Sequence, residues 1–231
     1  MNSHNSSPLY GNAGDEPAAR TPLRPLPQVD LCRRGEIRAE KFIDAATEVF
    51  AEKGYRHARL SEIVARAGGS LATLYRIYGD KEGLAHAILQ RRLDFYLHTT
   101  RDIDLSVLPP EQALPALAQR MAELMARPES RVIYRLVIGD GQSFPTLRDW
   151  FFENVVGTFR ATLAGYFDRQ VEAGRMRMAS THSAAAQFSM MLFGDMVMRL
   201  ASGITDLPDP DQLRANARDA VELFLQGTLP R

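Results

Sequence analysis

At 231 residues and 45% apolar content, the chain has enough material for a small module plus one larger buried core. Its 28 basic and 28 acidic residues balance, so composition alone excludes a strongly basic, nucleic-acid-coating protein. One cysteine, Cys32, excludes an internal disulfide and a cysteine-based zinc site, and no run reaches the roughly 18 uninterrupted apolar residues of a membrane span.

Residues 1–33 contain Pro8, Pro17, Pro22, Pro25 and Pro27 among Ser, Asn, Gly and Arg, with too few large apolar side chains to offset the entropy of ordering. A disordered extension is expected there. Met1–Gln28 lacks the apolar segment of a signal peptide, so the expected location is cytoplasmic. Arg20, Arg24, Arg33 and Arg34 precede the first helix and read either as a basic arm for a minor groove or as a solvated tail. Residues 33–101 carry 13 Lys or Arg against 9 Asp or Glu, whereas residues 102–231 carry 13 against 16, so the modest basic end comes first.

From Glu36 to Lys53, the residues Ile37, Phe42, Ala45, Ala46, Val49 and Phe50 fall on one face of a helix that Gly54 ends. Tyr55 reads as a packing residue, and His57, with no second ligand at metal spacing, as a solvated one. Ser61–Tyr78 then reads as two short helices around a tight turn. Ile63, Val64 and Ala67 bury one face of the first, Gly68-Gly69 breaks it, and Ser70 is placed to cap the second. The second buries Leu74, with Ile77 or Tyr78 a turn later, and presents Leu71, Ala72, Thr73, Tyr75 and Arg76. Hydroxyl, aromatic and cationic groups in that arrangement suit a major-groove wall.

The longer run Phe50-Ala-Glu-Lys-Gly54-Tyr55, Ile63-Val-Ala-Arg-Ala-Gly68, Ser70, Thr73-Leu74-Tyr75, Tyr78 and Asp80-Lys81-Glu82-Gly-Leu84 resembles the amino-terminal domain of the TetR (tetracycline-repressor-like) family of transcription regulators. The resemblance is motif-level over Ile37–Ile88. It implies an all-α fold: a three-helix, helix-turn-helix DNA-binding domain at 34–84, then a larger helical ligand-binding and dimerisation domain at 85–231. The DNA contacts it implies are Ser61, Ser70, Leu71, Ala72, Thr73, Tyr75, Arg76, Tyr78 and Lys81. Lys81 near a helix start is unfavourable for the helix dipole, so it reads as a phosphate contact, a solvated lysine being the alternative. Two residues depart from the family pattern. Arg59 replaces a capping Ser or Thr, which would move the cap to Ser61 or leave a donor unsatisfied, and Gly69 replaces a β-branched turn residue, which weakens turn packing.

Asp80 is placed to cap a helix through Leu84, Ile88, Leu89, Leu93, Tyr96 and Leu97 that is long enough to link the two domains as a lever. Helices follow at Leu114–Met125, Ser130–Ile138, a long one from Pro145 to Val171 closed by Gly174, Ser183–Leu200 and Pro210–Gln226, the last with Gly227 as its terminating residue. The stretches Val137–Pro145, Gly165–Phe167, Glu172–Arg177 and Ala184–Phe188 resemble the AefR-like type of carboxy-terminal domain.

Within that domain, His98, Met121, Met125, Tyr134, Trp150, Phe151, Phe159, Phe188 and Met191 are candidate lining residues of a ligand pocket, against plain core packing for each. Arg131 and Arg135, with His98, are candidate polar anchors for an anionic ligand. The resemblance implies a two-fold dimer through a four-helix bundle of the last two helices, with Ala184, Phe188, Leu192, Asp195, Leu213, Ala217, Val221 and Phe224 as candidate interface residues and intrachain packing as the alternative. No zincin motif, phosphate-cradling glycine loop or nucleophile elbow occurs, and the five histidines do not cluster. Neither cofactor nor metal is expected. The expected partners are double-stranded operator DNA, a small-molecule inducer and a second copy of the chain, with no membrane. A small helical enzyme or ligand carrier is the rival class.

Overall fold

The computed structural model describes residues 26–27, 32–101, 103, 105–204 and 209–230, and every described element is helical. Most of the expected extension at 1–33 lies outside them. The elements are α1 (Arg33–His57), α2 (Leu60–Ala67), α3 (Leu71–Tyr78), α4 (Lys81–Thr100), α5 (Pro110–Met125), α6 (Glu129–Tyr134), α7 (Pro145–Phe151), α8 (Gly157–Glu172), α9 (Thr181–Ser202) and α10 (Pro210–Thr228).

Local chemistry sets the first boundaries. Gly54 takes φ +74°, ψ 157°, so regular helix stops at Lys53 and a last turn re-forms to His57. Gly68 takes φ +69° and closes α2 with its N–H on the Val64 carbonyl. Ser70 accepts the Thr73 N–H at 3.2 Å and starts α3, and Asp80 accepts the Gly83 N–H at 2.8 Å and starts α4. The α2 cap does not move to Ser61. Arg59 holds the capping position, and Glu62 reaches back to its N–H at 3.4 Å while pairing with Lys53 at 2.7 Å.

Three later boundaries differ from expectation. α5 starts at Pro110, four residues before Leu114, because a proline at the first helical position loses no helical hydrogen bond. The long helix from Pro145 is interrupted by a π-helical turn at Phe152–Val156, and a second π turn at Arg135–Gly139 prolongs α6. Gly227 does not terminate α10: Thr228 Oγ1 bonds the Phe224 carbonyl at 2.7 Å and the Thr228 carbonyl accepts the Arg177 N–H at 2.7 Å, so a tertiary bond carries the helix past the glycine.

Two buried clusters result. One joins α1–α4 through Phe42, Phe50, Ile63, Leu74 and Leu84, and it continues into Val132, Ile133, Leu136, Leu147 and Phe151. The other joins α5, α8, α9 and α10 around Leu117, Leu163, Phe167, Phe188 and Phe224, with Tyr96 from α4. Apolar side chains therefore pack across the expected boundary at residue 84. α4 supplies Leu84–Leu89 to the first cluster and Tyr96 to the second, so it is built into both cores.

Candidate DNA-reading face and ligand cavity

α3 buries Leu74, Ile77 and Tyr78 and leaves its other side open. Leu71 is 41% and Tyr75 50% exposed, Ser70, Ala72 and Arg76 are also exposed, and Thr73 is half-buried with its hydroxyl 2.9 Å from that of Ser70. Ser61 is exposed on the first turn of α2. Seven of the nine expected contact residues, all but Tyr78 and Lys81, thus lie on an open face, a short polar and aromatic ridge on an apolar base. Tyr78 is the correction. It is 5% exposed, its hydroxyl donates to the Ala39 carbonyl at 2.8 Å, and burial pushes its pKa up, so it anchors α3 on α1 as a neutral donor.

Lys81 also faces inward. Its ammonium donates to the carbonyls of Tyr55 at 2.9 Å, Arg56 at 3.2 Å and Ala58 at 3.2 Å, and lies 4.8 Å from the Tyr55 ring centre. Three N–H groups meet three acceptors, which leaves none aimed at a phosphate and ties the start of α4 to the end of α1. Gly69 has a specific reason as well. A Cβ there would lie 2.5 Å from Cζ and 2.8 Å from Cε1 of Phe42, whose ring is fully buried. The Phe42 ring thus occupies the space above the turn, and the absent side chain at Gly69 is matched by it. On the other flank Arg66 forks Glu52 at 2.6 and 2.9 Å, which holds the Glu52 carboxyl below the usual carboxylate range.

The second site is a cavity of about 150 Å³ between α4, α5, α8 and α9. Met121, Met125, Tyr134, Phe151 and Phe159 line it, as expected of them, together with Arg92, Tyr96, Leu124, Ile138, Phe152, Val155, Val156, Arg160, Ser189, Met190, Phe193, Gly194 and Val197. Both π turns contribute to its wall, Ile138 from the first and Phe152, Val155 and Val156 from the second. A π turn widens the helix by an extra residue, a local irregularity found often at functional sites.

Both regions of the chain match known families. Residues 42–88 match the family described as bacterial regulatory proteins, tetR family, and residues 112–227 match the AefR-like transcriptional repressor, C-terminal domain. The HTH-type transcriptional repressor Rv3405c of Mycobacterium tuberculosis is 30% identical over 191 residues, covering 81% of this chain and 89% of that protein. The chain belongs to the TetR family of transcriptional regulators. Its family and relatives are regulators, not enzymes. They differ in sign: the HTH-type transcriptional activator FasR of Mycolicibacterium smegmatis is 33% identical over 104 residues, 45% of this chain and 46% of its own length. A solved structure from Mesorhizobium loti MAFF303099 assigned to the TetR family has the same fold, with a TM-score of 0.70 at 24% identity over 86% of this chain and 100% of that one.

Within this TetR-family chain, four expected pocket residues lie elsewhere. His98 is exposed on the last turns of α4. Trp150 packs edge-on against His86 with ring centres 4.7 Å apart. Phe188 is fully buried against Phe167 and Phe224, and Met191 is 42% exposed on the far side of α9. Helical spacing explains the last two: Met190, Gly194 and Val197 share the face turned to the cavity, and Phe188 and Met191 fall on other sides of the helix. Neither Arg131 nor Arg135 lines the cavity; Arg92 and Arg160 do. The expected interface residues Ala184, Phe188, Leu192, Leu213, Ala217, Val221 and Phe224 are buried within the chain itself, because α10 packs on α5 and α9 packs on α8 and α10. Asp195 is exposed and pairs with Arg199 at 2.7 Å. The large apolar residues left exposed on α9 and α10 are Met190 at 56%, at the rim of the cavity, Met191, Met198 at 66% and Leu223 at 62%, and Met191 and Leu223 flank a groove that also holds Asp195, Asn216 and Asp219.

Proposed function

We propose that the protein is a homodimeric one-component repressor that binds a palindromic operator through α3 and is released by a small apolar or amphipathic ligand held in the cavity. The observation that carries this reading is the exposed ridge of Ser70, Leu71, Thr73, Tyr75 and Arg76 on a base fixed by Phe42, Tyr78 and Lys81. A single eight-residue helix makes too few base contacts for useful specificity, so two copies about 34 Å apart on successive major-groove faces are needed. The exposed Met191, Met198 and Leu223 surface of α9 and α10 is where the copies would meet.

Ligand and reader communicate along two connections. α4 lines the cavity with Arg92 and Tyr96 and holds the end of α1 with Lys81, about 16 Å from Arg92 and about 22 Å from Tyr96 at 1.5 Å per residue. The π turn that supplies Ile138 leads into Asp140, Ser143 and Phe144, which meet Arg56 and Tyr55: Arg56 lies 3.7 Å from Asp140 and bonds Ser143, and the Phe144 ring stands edge-on to Tyr55 at 4.5 Å. A ligand that favours one arrangement of this wall shifts the population of the DNA-competent state.

Selection of genomic fragments by the purified protein, followed by footprinting of the recovered site, tests the reading. Two protected half-sites about one helical turn apart and a dimer in solution are expected. Binding no stronger to selected than to random fragments, or a monomer that still protects both half-sites, would overturn it.

A further inference from the structure

Two adjacent arginines on α4 sit in opposite environments. Arg91 is met by three carboxylates, Asp44 at 2.7 Å, Glu129 at 3.0 Å and Glu40 at 3.4 Å, which join α4 to α1 and α6. Arg92 is deeper, only 6% exposed, yet its guanidinium bonds neutral groups alone: the Leu124 carbonyl at 2.5 Å, the Ser130 hydroxyl at 3.0 Å and the Met125 thioether at 3.4 Å. The Tyr134 hydroxyl also acts on it, and Glu129 does so less strongly through space, but that carboxylate already bonds Arg91 and lies 3.6 Å from Arg127. Among the described residues no carboxylate pairs with Arg92. Burial pulls its pKa below the ordinary arginine value, the mark of a cation stripped of water without an anion to replace it.

That guanidinium forms part of the cavity wall, and so does Arg160 from α8, whose Nε is buried without a hydrogen-bond partner. The Leu124 carbonyl and Ser130 hydroxyl hold one side of the Arg92 fork, while the thioether is a weak acceptor for the other. Planar forks of this kind match a carboxylate in two-pronged fashion. Most of the remaining wall is apolar or aromatic, and a cavity of about 150 Å³ has the volume that takes one benzene-sized ring.

We infer that the cavity binds a small monocarboxylate whose apolar body is about the size of one aromatic ring, the carboxylate seated on Arg92 and Arg160 and the body among Phe151, Phe159 and Phe193. The inference rests on the reading of this cavity as the ligand site and adds the chemistry of the ligand. The anion neutralises a charge that the fold has already desolvated and oriented, so the acid gains over its neutral isostere.

Calorimetric titration of the full chain without DNA, using benzoate and hexanoate against benzamide and hexanamide, tests it. Each acid is expected to bind at least tenfold more tightly than its amide. Arg92→Gln and Arg160→Gln, each checked for native helicity, should bring that ratio close to one. Amides that bind the wild-type protein as well as the acids do, no saturable binding of either acid, or an unchanged ratio in both folded variants would overturn the inference. The wild-type ratio decides the matter even where a variant does not fold. Repeating the titration with a selected DNA fragment separates the two readings. Acid preference with unmoved DNA affinity leaves the carboxylate site standing and removes the coupling, whereas an amide that releases DNA as well as its acid does the reverse.

Discussion

Lys81→Met distinguishes a structural tie from a phosphate contact. Its three N–H groups face three backbone carbonyls at 2.9, 3.2 and 3.2 Å at the end of α1, where a helix leaves acceptors without intrahelical partners and its dipole favours a cation. A hydrogen bond to a charged donor is worth about 1.5–3 kcal/mol when well buried. Here the bond to Arg56 is exposed and those to Tyr55 and Ala58 are part-buried, so water replaces much of the lost donor and the net cost of the substitution is about 1–3 kcal/mol. Urea unfolding reads that loss directly as a lower midpoint at constant slope. Operator affinity across a salt series reads the other possibility, because each lost phosphate contact lowers the slope of log K against log salt by about 0.9, and a dimer would lose two. The structural tie predicts lower stability with the salt slope unchanged. Native stability with a slope smaller by about two, one contact from each protomer, would refute it and return Lys81 to the DNA.

Gly69→Ala should cost about 1–3 kcal/mol in urea unfolding, because the new Cβ meets the fully buried Phe42 ring at 2.5 Å, and the cost should shrink in the presence of Phe42→Leu; strict additivity of the two would count against the contact. His86 is buried against Trp150, and burial alone lowers its pKa from the ordinary 6.5, so the unfolded chain binds more protons as pH falls. Its contribution to stability is therefore complete above about pH 6.5 and is lost as pH falls from there through the folded-state pKa, and His86→Phe should flatten that acid limb in unfolding followed by Trp150 fluorescence. Leu223→Arg, on an exposed α10 position, should leave monomer helicity intact and shift sedimentation from dimer to monomer at micromolar concentration; an unchanged dimer would place the interface elsewhere.

The reader was largely legible because its determinants are local. Gly54, Gly68, Ser70 and Asp80 set boundaries through backbone conformation and capping within a few residues, and the structure uses each of them. The inward turn of Lys81 was not legible, since its acceptors lie 23 to 26 residues earlier in the chain. Nor was the match of Gly69 to Phe42, a contact made only once α1 crosses the turn. In the larger domain, apolar periodicity located the helices but not their register against one another. The stripe Leu213, Ala217, Val221 and Phe224 fits either a partner or α5, and packing on α5 decides it. Arg92 was missed because the doublet Arg91-Arg92 reads as a solvated pair on a charged helix face. The signal in the sequence is the spacing: Arg92 falls on the helical stripe of Ala85, Ile88, Leu89 and Tyr96, whose other members are apolar.

The end of α1 is the point at which both connections from the cavity converge. Lys81 holds the Tyr55, Arg56 and Ala58 carbonyls from the α4 side, and Phe144 packs on the Tyr55 ring from the side of the π turn, with Arg56 5.9 Å from its ring centre. Phe144 neither belongs to the exposed ridge of α3 nor lines the cavity, so Phe144→Ala removes one connection without removing a residue of either site. Ligand affinity measured without DNA, and DNA affinity measured without ligand, should each stay within a few-fold of wild type. The factor by which ligand weakens DNA binding should fall by the equivalent of about 0.5–2 kcal/mol, the range seen for residues that carry coupling without contacting either partner. Linkage requires the same reduction when the experiment is run in reverse, with DNA weakening ligand binding. A coupling factor that survives Phe144→Ala intact in both directions would assign the communication to α4 alone, and the π turn at Arg135–Gly139 would then serve only to shape the cavity.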